Sequence, residues 1–179
     1  MQKKNIVELT RIDVEGYKKI NKCPLSLMAD NVRSMQNIGA LFRTADAFLI
    51  REIILGGISG VPPHPEISKS ALGADESVNW RYVEDTYMEV SRLKEQGWKI
   101  YILEQTHDSV SLQNMNVDFN ENNLLVVGNE VEGVDQRIAD MADVALEIPQ
   151  EGIKHSLNVS VSAGIAMWEF YKNYLKVKK

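Results

Sequence analysis

Residues 24–57 read PLSLMADNVRSMQNIGALFRTADAFLIREIILGG and carry two hydropathy periods in succession. The first six residues, Pro24 to Ala29, form a short apolar run bounded by polar neighbours, which predicts a buried strand. Ile38, Leu41, Phe42, Ala45 and Phe48 or Leu49 then recur at three- and four-residue steps, the spacing of one helical face. Glu52 to Leu55 is a second apolar strand, closed by Gly56 and Gly57. Strand, helix, strand is the unit from which parallel sheets are built.

The same alternation continues outward. Pro62, Pro63 and Pro65 mark a loop, and a short helix is predicted from Pro65 to Leu72. Strands are expected at Val78–Val83, Trp98–Leu103, Leu124–Val127 and Ala145–Ile148, with an amphipathic helix over Thr86–Gln96 ended by Gly97. A long terminal helix is expected from Ser156 to Lys176. The fold class is therefore α/β, a mostly parallel sheet with helices on both faces. Ligands in such sheets bind beyond the carboxyl ends of the strands. One domain over 23–179, with a short basic N-terminal extension over 1–22, is the simplest organisation.

Composition fits this class. Of 179 residues, 44% are hydrophobic and 25% charged, close to the averages for globular chains. No apolar run is long enough to span a bilayer, and Met1–Thr10 lacks the apolar core of a secretion signal. Cys23 is the only cysteine, which fits a reducing compartment, so the cytoplasm is the expected location. The net charge of −5 is unevenly spread: residues 1–22 carry +3 and residues 171–179 carry +4, leaving −12 for the body. Two basic arms flanking an acidic body suit contact with a polyanion, although lysine-rich termini also serve solubility.

Several chemistries lack their residues. GGISG at 56–60 is neither a dinucleotide fingerprint nor a P-loop, and the prolines after it forbid an immediate helix. His64, His107 and His155 lack metal-site spacings, so no metal is expected. A nucleophile elbow is missing, and Cys23 has no evident histidine partner.

Three segments carry a signal. In Asn37-Ile-Gly39-Ala-Leu-Phe-Arg43, Gly39 permits close approach of a backbone or ligand, Asn37 suits a helix N-cap, and Arg43 lies just off the apolar stripe. In Leu124-Leu-Val-Val-Gly128-Asn129-Glu130-Val-Glu-Gly133, a buried strand delivers a glutamate to its carboxyl end. In Ile148-Pro149-Gln150-Glu-Gly152-Ile-Lys-His-Ser156-Leu157-Asn158-Val-Ser160-Val, Ser156 suits the N-cap of the last helix, with Asn158 near its free N–H groups. Each segment alone is also compatible with an ordinary capped helix or turn.

Taken in order, the three resemble the motifs of the SpoU/TrmH RNA 2'-O-ribose methyltransferases, N-x-G-x-x-x-R-x-A, then G-N-E-x-x-G, then I-P-x-x-G-x-x-x-S-L-N-V-S-V. The resemblance covers residues 24–175. It implies a C-terminal trefoil knot, an exception to the rule against threaded chains. It also implies S-adenosylmethionine as cofactor, with backbone near Leu103, Glu104, Gly128, Ile148 and Leu157 holding adenine and ribose, and Asn129, Gly152 and Ser156 in the same loops. By the same resemblance Arg43, Asn37, Glu130, Ser156 and Asn158 are the catalytic positions. A guanidinium is a poor base, so Arg43 is expected to position the ribose or stabilise the developing alkoxide. Homodimers acting on RNA are implied, with no membrane and no metal. Gln150 departs from the methionine common in bacterial members and is similar to large eukaryotic enzymes that methylate the tRNA D-loop guanosine. This departure loosens the substrate assignment, and the short basic extension is what favours the tRNA D-loop guanosine; rRNA, wobble-position tRNA, and an inactive RNA-binding protein with a retained pocket are the alternatives.

Overall fold

Every pairing in the central sheet is parallel. In a computed structural model, which describes residues 1–5, 8 and 12–178, seven strands run in chain order as β1 (Cys23–Asp30), β2 (Ile50–Gly56), β3 (Trp80–Val83), β4 (Lys99–Leu103), β5 (Val110–Ser111), β6 (Asn123–Val127) and β7 (Val144–Glu147). Across the sheet the order is β3-β2-β1-β6-β4-β7-β5. The helices are α1 (Val14–Lys19), α2 (Met35–Ala47), α3 (Pro65–Ala71), α4 (Ala74–Ser77), α5 (Thr86–Glu95), α6 (Gln136–Met141) and α7 (Val159–Val177).

Side chains alternate across the sheet, so the continuous apolar strands feed two cores. Leu25, Leu27 and Ala29 of β1 and Leu125 of β6 pack with α2, α3 and α7 through Leu41, Ile67 and Phe170. Met28, Leu124 and Val126 point the other way, onto Val90 and Leu93 of α5 and Ile138 of α6. Both faces are covered, as the alternating strands and helices predict.

Local chemistry sets the helix ends. Pro65 opens α3 with His64 as its cap, and Leu72 closes it in the left-handed conformation. Asp85 caps α5, and Gly97 takes the positive φ after it. Two caps differ from expectation. Ser34, not Asn37, caps α2, because its hydroxyl accepts from the Asn37 N–H and moves the helix start upstream. Asn158, not Ser156, caps α7: its Oδ1 accepts from the Ser160 and Val161 N–H groups, so the helix begins at Val159. Gly39 marks a close approach between helices. A methyl there would overlap the Ile67 carbonyl and Ser70 hydroxyl of α3. The first helix, α1, falls in the N-terminal segment and buries Tyr17 in the larger core. No helix among the described residues is long and apolar enough to cross a membrane.

Candidate active site

The sheet order puts the loops after β1, β6, β4 and β7 side by side at the carboxyl edge. The loops after β4, β6 and β7, with the segment leading into α7, line an open cavity of about 670 Å³, and the loop after β1 lies beside it through its hydrogen bonds to Asn129 and Glu130. Leu103, Glu104, Gly128, Asn129, Ile148 and Leu157, expected to hold a cofactor, all line it. Glu130, Ser156 and Asn158 line it as well. Gly152 does not; it lies exposed in the loop before α7.

Hydrogen bonds fix the walls. The Asn129 amide donates to the Asn31 carbonyl at 2.8 Å, while its Oδ1 accepts from the Val131 N–H at 2.8 Å and the Glu132 N–H at 3.2 Å. Asn129 and Gly133 also exchange backbone hydrogen bonds of 3.0 Å, which closes the loop into a tight turn with Gly133 at φ +73°. Gly128 has no room for a side chain: a methyl would overlap the backbone of Gly133 and Val134. Glu104 accepts from the Gln105 N–H at 3.1 Å and the Val134 N–H at 3.2 Å. The Gln105 amide donates to the His155 carbonyl at 3.0 Å and ties the loop before α7 to β4. Neither link of Glu104 nor Gln105 has a sequence motif of its own.

One chain of contacts joins all three sequence segments. The Asn158 amide donates to Asn37 Oδ1 at 3.1 Å, and the Asn37 amide donates to Glu130 Oε1 at 3.0 Å. Glu130 also accepts from the Ser34 N–H at 3.0 Å and the Arg33 N–H at 3.1 Å. Desolvation alone would raise the Glu130 pKa. The backbone donors of Ser34, Glu130 itself and Arg33, with the Asn37 amide, outweigh it and hold the carboxyl below the usual range. A charged Glu130 thus receives the free N–H groups at the start of α2. Asn37 is nearly buried and serves as the bridge.

Arg43 stands apart. It lies on the exposed side of α2, does not line the cavity, and its side chain has no hydrogen-bond or ion-pair partner among the described residues. Those residues also contain no group of three or more His, Cys, Asp or Glu side chains able to hold a metal ion.

Residues 24–168 match the SpoU rRNA Methylase family, and the chain belongs to it. It is 33% identical over 151 residues to a tRNA (guanosine(18)-2'-O)-methyltransferase of Aquifex aeolicus, covering 81% of this chain and 67% of that one. It is 31% identical over 173 residues to a 23S rRNA (guanosine-2'-O-)-methyltransferase of Vibrio parahaemolyticus, covering 96% and 68%. Of a mouse tRNA (guanosine(18)-2'-O)-methyltransferase, 29% identical to it, the chain spans 10%. The crystal structure of the A. aeolicus TrmH/SpoU tRNA modifying enzyme superposes with a TM-score of 0.77 at 29% identity, over 87% of this chain and 78% of that one. A SpoU methyltransferase from Streptomyces viridochromogenes in complex with AdoMet shares the fold, with a TM-score of 0.77 at 21% identity.

Proposed function

We propose that this protein is an S-adenosylmethionine-dependent RNA 2'-O-ribose methyltransferase that works in the cytoplasm, acts on tRNA and favours the D-loop guanosine. The observation that carries the reading is the Asn158–Asn37–Glu130 chain at the mouth of a cavity with room for a nucleoside-sized ligand. The residues present suit the cofactor. Glu104, Glu130, Glu132 and Glu147 line the cavity and complement a cation, and the crowded Gly128–Gly133 turn presents bare backbone to an adenosine. When bound, S-adenosylmethionine supplies a methyl group on a positively charged sulfur.

The chain's own residues do the rest. Glu104, Gln105 and Asn129 hold the loops rigid, so backbone groups at Leu103, Gly128, Ile148 and Leu157 meet the ligand preformed. Ser156 and Asn158 face the cavity as polar groups for the reacting end. Arg43 binds the ribose or its phosphate and stabilises negative charge as the 2'-hydroxyl gives its proton to water or another acceptor and its oxygen takes the methyl group.

Residues 23–179 form the catalytic domain, whose C-terminal loops thread as a trefoil knot, and residues 1–22 and 171–179 add basic surface. Two copies pair through α7. Supporting this is an exposed apolar stripe at helical spacing, Val161, Ile165 and Trp168, the last 46% exposed. Gly164, next to the stripe, lies against Thr44 of α2, so Arg43 flanks the same seam.

The test is transfer of labelled methyl from S-adenosylmethionine to bulk tRNA and bulk rRNA, joined to mapping of ribose methylations lost on gene deletion. Transfer to tRNA with loss at the D-loop guanosine is expected. Cofactor binding without transfer to either RNA would instead make this an RNA-binding protein with a retained pocket.

A further inference from the structure

We infer that the RNA backbone tracks across the α2–α3 side of the body from the cavity mouth, held by Arg33, Lys69 and Lys154 as phosphate contacts. This rests on the reading above that RNA is the substrate, and it places the contacts on the acidic body rather than on the basic arms alone.

The observation is a partition of the cations. On the α5–α6 side each has an acidic partner. Arg81 pairs with Glu52 and Glu89, Arg92 with Glu89, Lys94 and Lys99 with Asp143, and Arg137 with Asp135. At the amino edge of the sheet, Arg51 bonds Asn122 and lies over the Trp98 ring. The last helix keeps its cations too: Lys172 bonds Glu169, Lys176 bonds Asn173, and Lys178 lies over Tyr174.

Arg33, Arg43, Lys69 and Lys154 differ. All four are exposed, and none of their side chains has a hydrogen-bond, ion-pair or ring partner among the described residues; beyond them only cations of the N-terminal segment, such as Lys18 and Lys19 of α1, share that state. Arg33 is in the loop from β1 to α2, Arg43 is on α2, Lys69 is on α3, and Lys154 is in the loop that brings Ser156 and Asn158 to the cavity. Their elements adjoin: α2 and α3 meet at Gly39, and the Arg33 N–H is bound to Glu130 of the cavity.

Nearby acids are engaged elsewhere. Asp46 accepts from Ser77, Asp75 accepts from Ser68, and Glu130 accepts from the Arg33 and Ser34 N–H groups and the Asn37 amide; these neutral donors leave the charges in place but fix the carboxylates away from ion pairs with the four cations. Glu66 and Glu151 are exposed on the same side, so net potential is modest and the unpaired state of the cations carries the inference. A cation already in an ion pair must give up that partner to reach a phosphate; an unpaired one exchanges only water and counterions. Arginine and lysine on separate elements suit a continuous phosphate backbone better than one small anion.

The experiment measures binding of the full-length protein to bulk tRNA, and in parallel to bulk rRNA, across a salt series. The variants are Arg33→Gln, Lys69→Gln and Lys154→Gln, singly and together. A double variant on the opposite side, Arg92→Gln with Lys94→Gln, is the control. Counterion release makes one phosphate contact worth up to about eightfold in affinity at 0.1 M salt relative to 1 M. Each single variant is expected to bind several-fold more weakly, and the triple variant to lose about two from the log–log salt slope. The control is expected to stay within about twofold of the parent, and Arg33→Gln and Lys69→Gln to keep their S-adenosylmethionine affinity. A triple variant with unchanged affinity and salt slope, or a control that weakens equally, overturns the inference while leaving the methyltransferase reading intact. A parent protein that neither binds nor methylates either RNA overturns both.

Discussion

Asn37 is the residue on which the three segments of the site converge, and its removal has a calculable cost. Its amide donates to a carboxylate at 3.0 Å and its oxygen accepts from Asn158 at 3.1 Å. A hydrogen bond to a charged group contributes about 1.5–3 kcal/mol and a neutral one about 0.5–1.5 kcal/mol. Glu130 and Asn158 are exposed enough for water to replace part of each, so Asn37→Ala is expected to cost about 2 kcal/mol. With a urea slope near 2 kcal/mol/M, the unfolding midpoint falls by about 1 M. Asn37→Asp is isosteric and sharper. It still accepts from Asn158, but sets a second carboxylate where the amide stood, beside Glu130 Oε1. Two carboxyls that close cannot both ionise, so one is held protonated and its folded pKa rises. A raised folded pKa gives stability that is present at low pH and lost as pH climbs through the folded value. Asn37→Asp is therefore expected to be less stable than Asn37→Ala at pH 7 and to recover toward it by about pH 5. Urea denaturation at both pH values, with S-adenosylmethionine titration, reads the effect. If Asn37→Ala shifts the midpoint by less than about 0.2 M, or if Asn37→Asp does not recover on acidification, the bridge does not hold the site together.

Three further outcomes are expected. Gly128→Ala forces a methyl into the Gly133–Val134 backbone, and overpacking of this kind costs about 1–3 kcal/mol; calorimetry should show the lower Tm, and the variant should lose cofactor binding. Glu130→Gln sets an NH2 group against either the Arg33 N–H donor or the Ser34 and Asn37 donors, which bind different oxygens of the carboxylate, and is expected to be less stable than the parent at pH 7. Because the Glu130 pKa is depressed, its contribution exists above the ordinary glutamate value near 4.3 and fades as pH falls through the lower folded value, so the two melting curves should converge only in that acid range. Arg43→Lys keeps the charge but loses the planar fork; turnover on RNA should fall at least about tenfold with cofactor affinity unchanged, and near-full turnover would reject the proposed role.

Strands and helices were legible wherever a period was long enough to register. The α2 stripe of Ile38, Leu41, Phe42 and Ala45 and the apolar β1, β2 and β6 segments are found with boundaries shifted by a few residues. The six-residue α6, the four-residue α4 and the two-residue β5 present no period to read. In the N-terminal segment, α1 is held by a tertiary contact, Tyr17 in the core, that no local pattern announces. The caps were misplaced for a related reason: Ser34 and Asn37, or Ser156 and Asn158, are both acceptable cap residues, and the choice depends on which backbone N–H groups each can reach. For Asn37 and Asn158 that choice is tied to long-range partners, since they bond each other across 121 residues of chain.

The same point explains why the site residues could be named before their roles could be assigned. Their loops meet because β6 inserts between β1 and β4, an order that strand hydropathy does not encode. Once that order is set, α2 becomes a rigid lever with two ends. Its first turn delivers Asn37 and the Ser34 N–H to Glu130, while Arg43, six residues on, rides about 9 Å further along the axis. On a single rigid helix the second end cannot move to the cavity without disturbing the first, where Glu130 and Asn158 pin it. The role proposed for Arg43 therefore requires the gap to the cavity to be closed from outside the helix, by the proposed RNA strand or second copy, rather than by a swing of α2. Arg43→Lys should accordingly leave cofactor affinity untouched, whereas Asn37→Ala should weaken both cofactor binding and turnover. Equal losses from the two variants in both measurements would mean that α2 is not acting as one rigid piece.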